Sequence, residues 1–219
     1  MDRHFQEQLD ALKRQLLKMS ALAELMLADA IKVLVNRDPS RMAVIEQHEE
    51  QVNRLQREID ETCLRLIALH QPAAGDLRFI LGAVKTNNEL ERLADQAVNI
   101  SQKARRLLAE PPLKPFVTIP KMAAIASGMM KDSLHAFLNR DVARAGDVLV
   151  RDDQVDRLKA EVTGELLDLM MKDPAAIRRA LDIILVARNL ERIGDHATNI
   201  AENAIFVAEG RDIRHHAED

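Results

Sequence analysis

Two stretches decide how this chain reads: LERLADQAVNI at residues 90–100 and LERIGDHATNI at residues 190–200. They lie one hundred positions apart, and Leu, Glu, Arg, Asp, Ala, Asn and Ile recur at the same relative places. Repetition at that range predicts two structural copies of one unit. In each stretch two acids stand four residues apart, Glu91 with Asp95 and Glu191 with Asp195, and Asn99 and Asn199 follow four further on. Like charges at this spacing share one face of a helix and repel. The pattern calls for a positive partner.

The surrounding composition is that of a helical protein. Of 219 residues 47% are apolar, yet only 5 are Phe and none is Trp or Tyr, so the core is built from aliphatic side chains and Met. With 7 Gly and 7 Pro, the chain has few helix breakers. Apolar residues recur at three and four spacing almost throughout, the mark of long amphipathic helices. The net charge of −4, with both signs mixed, argues against nucleic acid as a partner. No run approaches the roughly 18–20 apolar residues of a membrane span, so direct membrane insertion is excluded as an expectation. The charged start MDRHFQEQLD does not read as a signal peptide, and a lone Cys63 fits a reducing compartment. The reading is a cytoplasmic protein. Cys63 lies in an apolar helical run and reads as core; His215 and His216 read as a solvated pair in a loose tail.

The breaks fall in register. Asn36-Arg37-Asp38-Pro39 ends the first helix, with Asp38 an N-cap before proline at the first helical position. His70-Gln71-Pro72 ends the second, and the third runs from about Gly75 to about Leu108. Residues 109–120, AEPPLKPFVTIP, hold four prolines and form a linker. Then Asn139-Arg140-Asp141 and Lys172-Asp173-Pro174 repeat the earlier breaks. The predicted fold is all-α: a three-helix repeat over residues 1–108, a proline-rich linker at 109–120, a second three-helix repeat over 121–209, and a tail at 210–219.

At about 100° per residue, Leu90, Leu93, Ala97 and Ile100 fall on one side of the third helix and Glu91, Asp95 and Asn99 on the other. The last helix repeats this, with Glu191, Asp195 and Asn199 beside Arg188 and Arg192. The middle helices carry HEEQVNR at 48–54 and RDDQVDR at 151–157, in which Glu49 and Asn53 match Asp152 and Asp156. These positions precede the Pro72 and Pro174 turns by about as many residues as the paired acids follow them, so antiparallel hairpins set them level, about 30 Å from the turn. Each copy then gathers oxygen donors on one surface. Such a set, without His or Cys, suits Mg, Mn, Ca or Fe ions. The competing reading is a solvated face neutralised by Arg92 and Arg192. His196, whose counterpart is Gln96, reads as a polar-face side chain rather than a catalytic one. No Glu-x-x-His occurs, which removes a ferritin-like oxidase, and no Gly-rich phosphate loop or nucleophile elbow is present.

The doubled Glu91-Arg92-Leu93-Ala94-Asp95 and Glu191-Arg192-Ile193-Gly194-Asp195, each continued by Asn-Ile, resemble the acid-x-x-x-Asp signature of the PhoU family, and PAAGDLRFI at 72–80 resembles the stretch before that family's third helix. The resemblance spans nearly the whole chain. It implies six long helices in two pseudo-symmetric three-helix bundles of spectrin-like arrangement, a homodimer, and multinuclear sites for divalent or trivalent metal ions on bundle surfaces. It also implies a non-enzymatic negative regulator of phosphate uptake and phosphate-starvation signalling, acting on a phosphate transporter ATP-binding subunit and a sensor histidine kinase. Carried over, the ligands are Glu91, Asp95, Glu191 and Asp195, then Asp152 and Asp156, completed by Asn99 and Asn199. Glu49 and Asn53 match less closely, because asparagine replaces the second acid. The alternatives are a structural helical adaptor without metal and a metal-dependent phosphatase.

Overall fold

The computed structural model describes residues 3–113 and 116–211. Among these, six long helices run in sequence: α1 (Arg3–Asn36), α2 (Arg41–His70), α3 (Ala74–Leu108), α4 (Thr118–Asn139), α5 (Val142–Lys172) and α6 (Ile177–Glu209). A 3-10 turn, Pro174–Ala176, leads into α6. The two-repeat, all-helical reading holds. His215 and His216 lie outside the described residues.

The repeated breaks act through the backbone. Arg37 and Arg140 both take left-handed conformations, φ 55° and 56°, which turn the chain out of α1 and α4. Asp141 then caps α5 by accepting from the Arg144 amide at 3.0 Å. Asp38 behaves differently from its expected role. Its carboxylate accepts from the Ser40 amide at 3.0 Å and the Ser40 hydroxyl at 2.6 Å, so Pro39 and Ser40 form a turn and α2 starts at Arg41. Pro120, placed in the linker by the sequence, stands in the first turn of α4. There its missing N–H has no intrahelical acceptor to lose.

Helices α2, α3, α6 and α5 lie side by side in that order, with α1 behind α2 and α3 and α4 behind α5 and α6. The middle of this layer is the α3–α6 pair, and it is antiparallel. Ascending α3 through Gly82, Glu89 and Arg106, the partners on α6 descend through Val207, Asn199 and Asp182. The two repeats share one core rather than meeting at a surface. Phe79 of the first stacks on Phe137 of the second at 5.2 Å between ring centroids. Arg37 ties the linker down, donating to the carbonyls of Leu108 at 2.7 Å and Glu110 at 2.9 Å, while Arg179 donates to that of Pro111 at 3.0 Å. Cys63 is buried as read, and burial, with Asp60 nearby, pushes its thiol up to about 12.

Gly82 sets the closeness of the two repeats. A Cβ there would lie 2.7 Å from Val207 Cγ2 and 2.8 Å from Phe137 Cε2, both on buried core side chains. Gly82→Ala is expected to destabilise the protein by about 1–3 kcal/mol through overpacking, read from the denaturant midpoint.

Candidate functional site

In the first repeat, Glu49 of α2 lies close enough to Asp95 of α3 for their charges to interact, with Glu91 beside Asp95; these three and Asn53 of α2 are half-buried. Burial and then the nearby Asp95 charge raise the Glu49 carboxyl above its ordinary range. Burial and Asp95 do the same to Glu91. Asp95 is raised by burial, against a lowering influence from His196. Glu49 and Asp95 are far apart in sequence and electrostatically coupled in space. This is what level positions on an antiparallel hairpin require.

The second repeat assembles Asp152 and Asp156 of α5 with Glu191 and Asp195 of α6. Here the repulsion is stronger. Burial, and then the charges of Asp195, Asp156, Asp153 and Glu191, push Asp152 up to about 6. Asp195 is raised by burial and by Glu191. Asp152 sits directly against the α6 backbone because position 194 is glycine: a Cβ there would meet its Oδ1 at 2.9 Å. The first repeat has Ala94 at the matching position, and the longer Glu49 where α5 has Asp152. The acids are thus not simply outward-facing. Asp156, Asp195 and Asn199 are exposed, and the others lie partly within the grooves.

The direct ion pair is not with the expected arginines, although their charges lower Glu91 and Asp195. Arg92 and Arg192 are exposed and act on the acids only from a distance. The direct partner is Lys159 of α5, whose Nζ lies 2.5 Å from Glu191 Oε1. Among the described residues, no three Asp, Glu, His or Cys side chains converge closely enough to enclose an ion in this arrangement.

His196 also differs from its polar-face reading. It is 6% exposed, on the α3–α6 seam, and its Nδ1 donates to Glu89 Oε2 at 2.7 Å. The Asn199 amide donates to the same oxygen at 3.1 Å, so Asn199 reaches across the seam rather than towards the acids of its own repeat. Burial would raise Glu89, but the bonds from His196 and Asn199 outweigh it and hold the carboxyl below its ordinary range. Asn99 is half-buried on α3. Neither Lys159 nor the Glu89–His196 pair was found by sequence reasoning. The one available signal was asymmetry between the copies, Lys159 against Gln56 and His196 against Gln96. A cavity of about 590 Å³ at the linker, lined by Leu107, Pro111 and Phe116 among others, has no carboxylate in its wall.

An antiparallel pair of three-helix repeats, each with an acid-lined groove beside the shared seam, defines a tandem-repeat helical class, and comparison identifies the repeat. The PhoU domain profile matches twice, at residues 16–104 and 119–204. The chain is 37% identical over 216 residues to the phosphate-specific transport system accessory protein PhoU homolog of Pseudomonas aeruginosa, covering 98% of this chain and 89% of that one. It is 38% identical over 209 residues to the homolog of the same description from Aquifex aeolicus, covering 95% of each. The crystal structure of PhoU from Pseudomonas aeruginosa superposes with a TM-score of 0.90 at 36% identity, over 94% of this chain and all of that one. The phosphate transport system regulatory protein PhoU from Streptococcus pneumoniae superposes with a TM-score of 0.88 at 25% identity, over 95% of this chain and 99% of that one. The chain belongs to the PhoU family.

Asp152 gives the site a pH signature. Its folded value of about 6 lies above its ordinary 3.8, so the folded chain holds the extra proton in between. This stability is fully present below about pH 4 and is lost as pH rises through about 6. In chelator-treated protein, Asp152→Asn is expected to remove that loss. At pH 7 it should raise the melting temperature by about 2–4 °C, the shift that about 1 kcal/mol gives a chain of this size.

Proposed function

We propose that this protein is a non-enzymatic regulator of phosphate uptake and phosphate-starvation signalling, docking on a transporter ATP-binding subunit and a sensor histidine kinase in the cytoplasm. The relatives' descriptions as accessory and regulatory proteins of phosphate transport support this reading. The observation that carries it is the pair of acid clusters flanking the α3–α6 seam, in which burial and neighbouring carboxylates raise Glu49 and Asp152. Among the described residues, no helix is long and apolar enough to cross a membrane, in keeping with a protein that works by docking.

The residues present fit metal ions. All donors are oxygens, the preference of magnesium, manganese, calcium and iron, and Gly194 leaves the space that lets Asp152 join Glu191 and Asp195. Glu49, Asn53, Glu91 and Asp95 would hold ions in the first repeat, with Asn99 alongside. Asp152, Asp156, Glu191 and Asp195 would do so in the second; Asn199, bonded to Glu89, would first have to turn. Bound hard cations would supply charge neutralisation and open coordination positions for a partner's carboxylate or phosphate. The residues' own part is to present those positions on the face that α2, α3, α6 and α5 form together. A second copy of the chain is a further proposed partner.

The Lys159–Glu191 ion pair favours a second reading, a helical adaptor whose acids are already partly neutralised from within. A phosphatase draws no nucleophile from Cys63, whose buried thiol stays protonated. Elemental analysis combined with partner binding separates the first two readings. The chain carrying Glu91→Ala, Asp95→Ala, Glu191→Ala and Asp195→Ala is expected to purify without metal and to bind the ATP-binding subunit at least about tenfold more weakly, a loss of about 1.4 kcal/mol. Unchanged affinity would exclude metal bridging.

A further inference from the structure

The two acid clusters differ by a paired substitution. On α5, Asp156 and Lys159 lie three residues apart and so share a face; at the matching places on α2 stand Asn53 and Gln56. The second repeat therefore gains one carboxylate and one ammonium relative to the first. Counted over Glu49, Glu91 and Asp95, the first cluster carries three negative charges. Asp152, Asp156, Glu191 and Asp195 less Lys159 give the second the same net charge. The Lys159 ammonium pairs with one acid of the cluster, 2.5 Å from Glu191 Oε1, with side-chain exposures of 36% and 21%. Gln56 instead faces Asn88 across α2 and α3, with 3.5 Å between their amides.

An ammonium on a flexible four-carbon stem is a mobile point charge, and an ion pair this exposed is weak enough to exchange. Four carboxylates that can gather on one ion favour a divalent cation over a single ammonium. We propose that Lys159 is a tethered counter-ion of the second cluster, which a hard divalent cation must displace from Glu191 in order to bind. The first cluster, with Gln56 in its place, loads without that competition. This rests on the metal reading of the clusters given above. The halves then fill at different cation concentrations, and filling the second releases the Lys159 ammonium to the surrounding surface. There it is available to an anionic group on a partner.

Manganese(II) chloride titrated into the full chain tests this, with free Mn²⁺ read by electron paramagnetic resonance and folding checked by thermal unfolding. Glu91→Ala/Asp95→Ala leaves the second cluster alone, and Glu191→Ala/Asp195→Ala leaves the first. In the former background Lys159→Gln is expected to tighten Mn²⁺ binding about tenfold, the ratio equivalent to about 1.4 kcal/mol, while Lys159→Arg leaves it unchanged. In the latter, Gln56→Lys is expected to weaken binding by a similar factor. If Lys159→Gln binds no more tightly while Mn²⁺ still binds, the tethered counter-ion is wrong and the metal reading survives. Binding by none of the chains, the wild type included, overturns both.

Discussion

The antiparallel packing of α3 on α6 is the constraint on which the rest depends. It joins the two repeats through a common core, and its closeness shows at Gly82, which packs beneath Val207 of α6 and Phe137 of α4. With that pair in place, α2 and α5 are carried to the outer edges of one layer. The acids on their inner faces can then meet only the acids of α3 and α6. The candidate site is a product of this layering more than of any local motif.

The seam also links what duplication separated. His196 of the second repeat bonds Glu89 of the first and lies near enough to Asp95 and Glu91 to oppose their mutual repulsion. A side chain at the centre of the molecule therefore acts on the electrostatics of both grooves. Arg106 with Asp182 forms a second ion pair across the same seam, at 3.1 Å.

Much of this was legible in one dimension. Apolar spacing of three and four marked every helix, and the recurring Asn-Arg-Asp breaks marked the turns, because aspartate favours the start of a helix over its interior. Counting from the prolines placed Glu49 level with Asp95, since a hairpin of regular helices permits one register. What stayed hidden was which helix covers which. Periodicity tells that position 196 lies at the edge of an apolar arc, not that Glu89 waits across from it. It likewise cannot tell that Lys159 bends towards Glu191 while Arg192, next in sequence, points to solvent. The extent of α2 was misjudged for a local reason. The Asp38 carboxylate finds its donors in Ser40, and this holds Pro39 in a turn.

The matched pairs Asp152 with Gly194 and Glu49 with Ala94 bear on how the halves diverge. A methyl group gained at 194 would lie 2.9 Å from the Asp152 Oδ1, so that oxygen would have to swing away from α6. The residue at 194 therefore decides how closely the acid of α5 can approach α6. One methyl group, present at Ala94 and missing at Gly194, thus separates the duplicated grooves in how deep a carboxylate can sit.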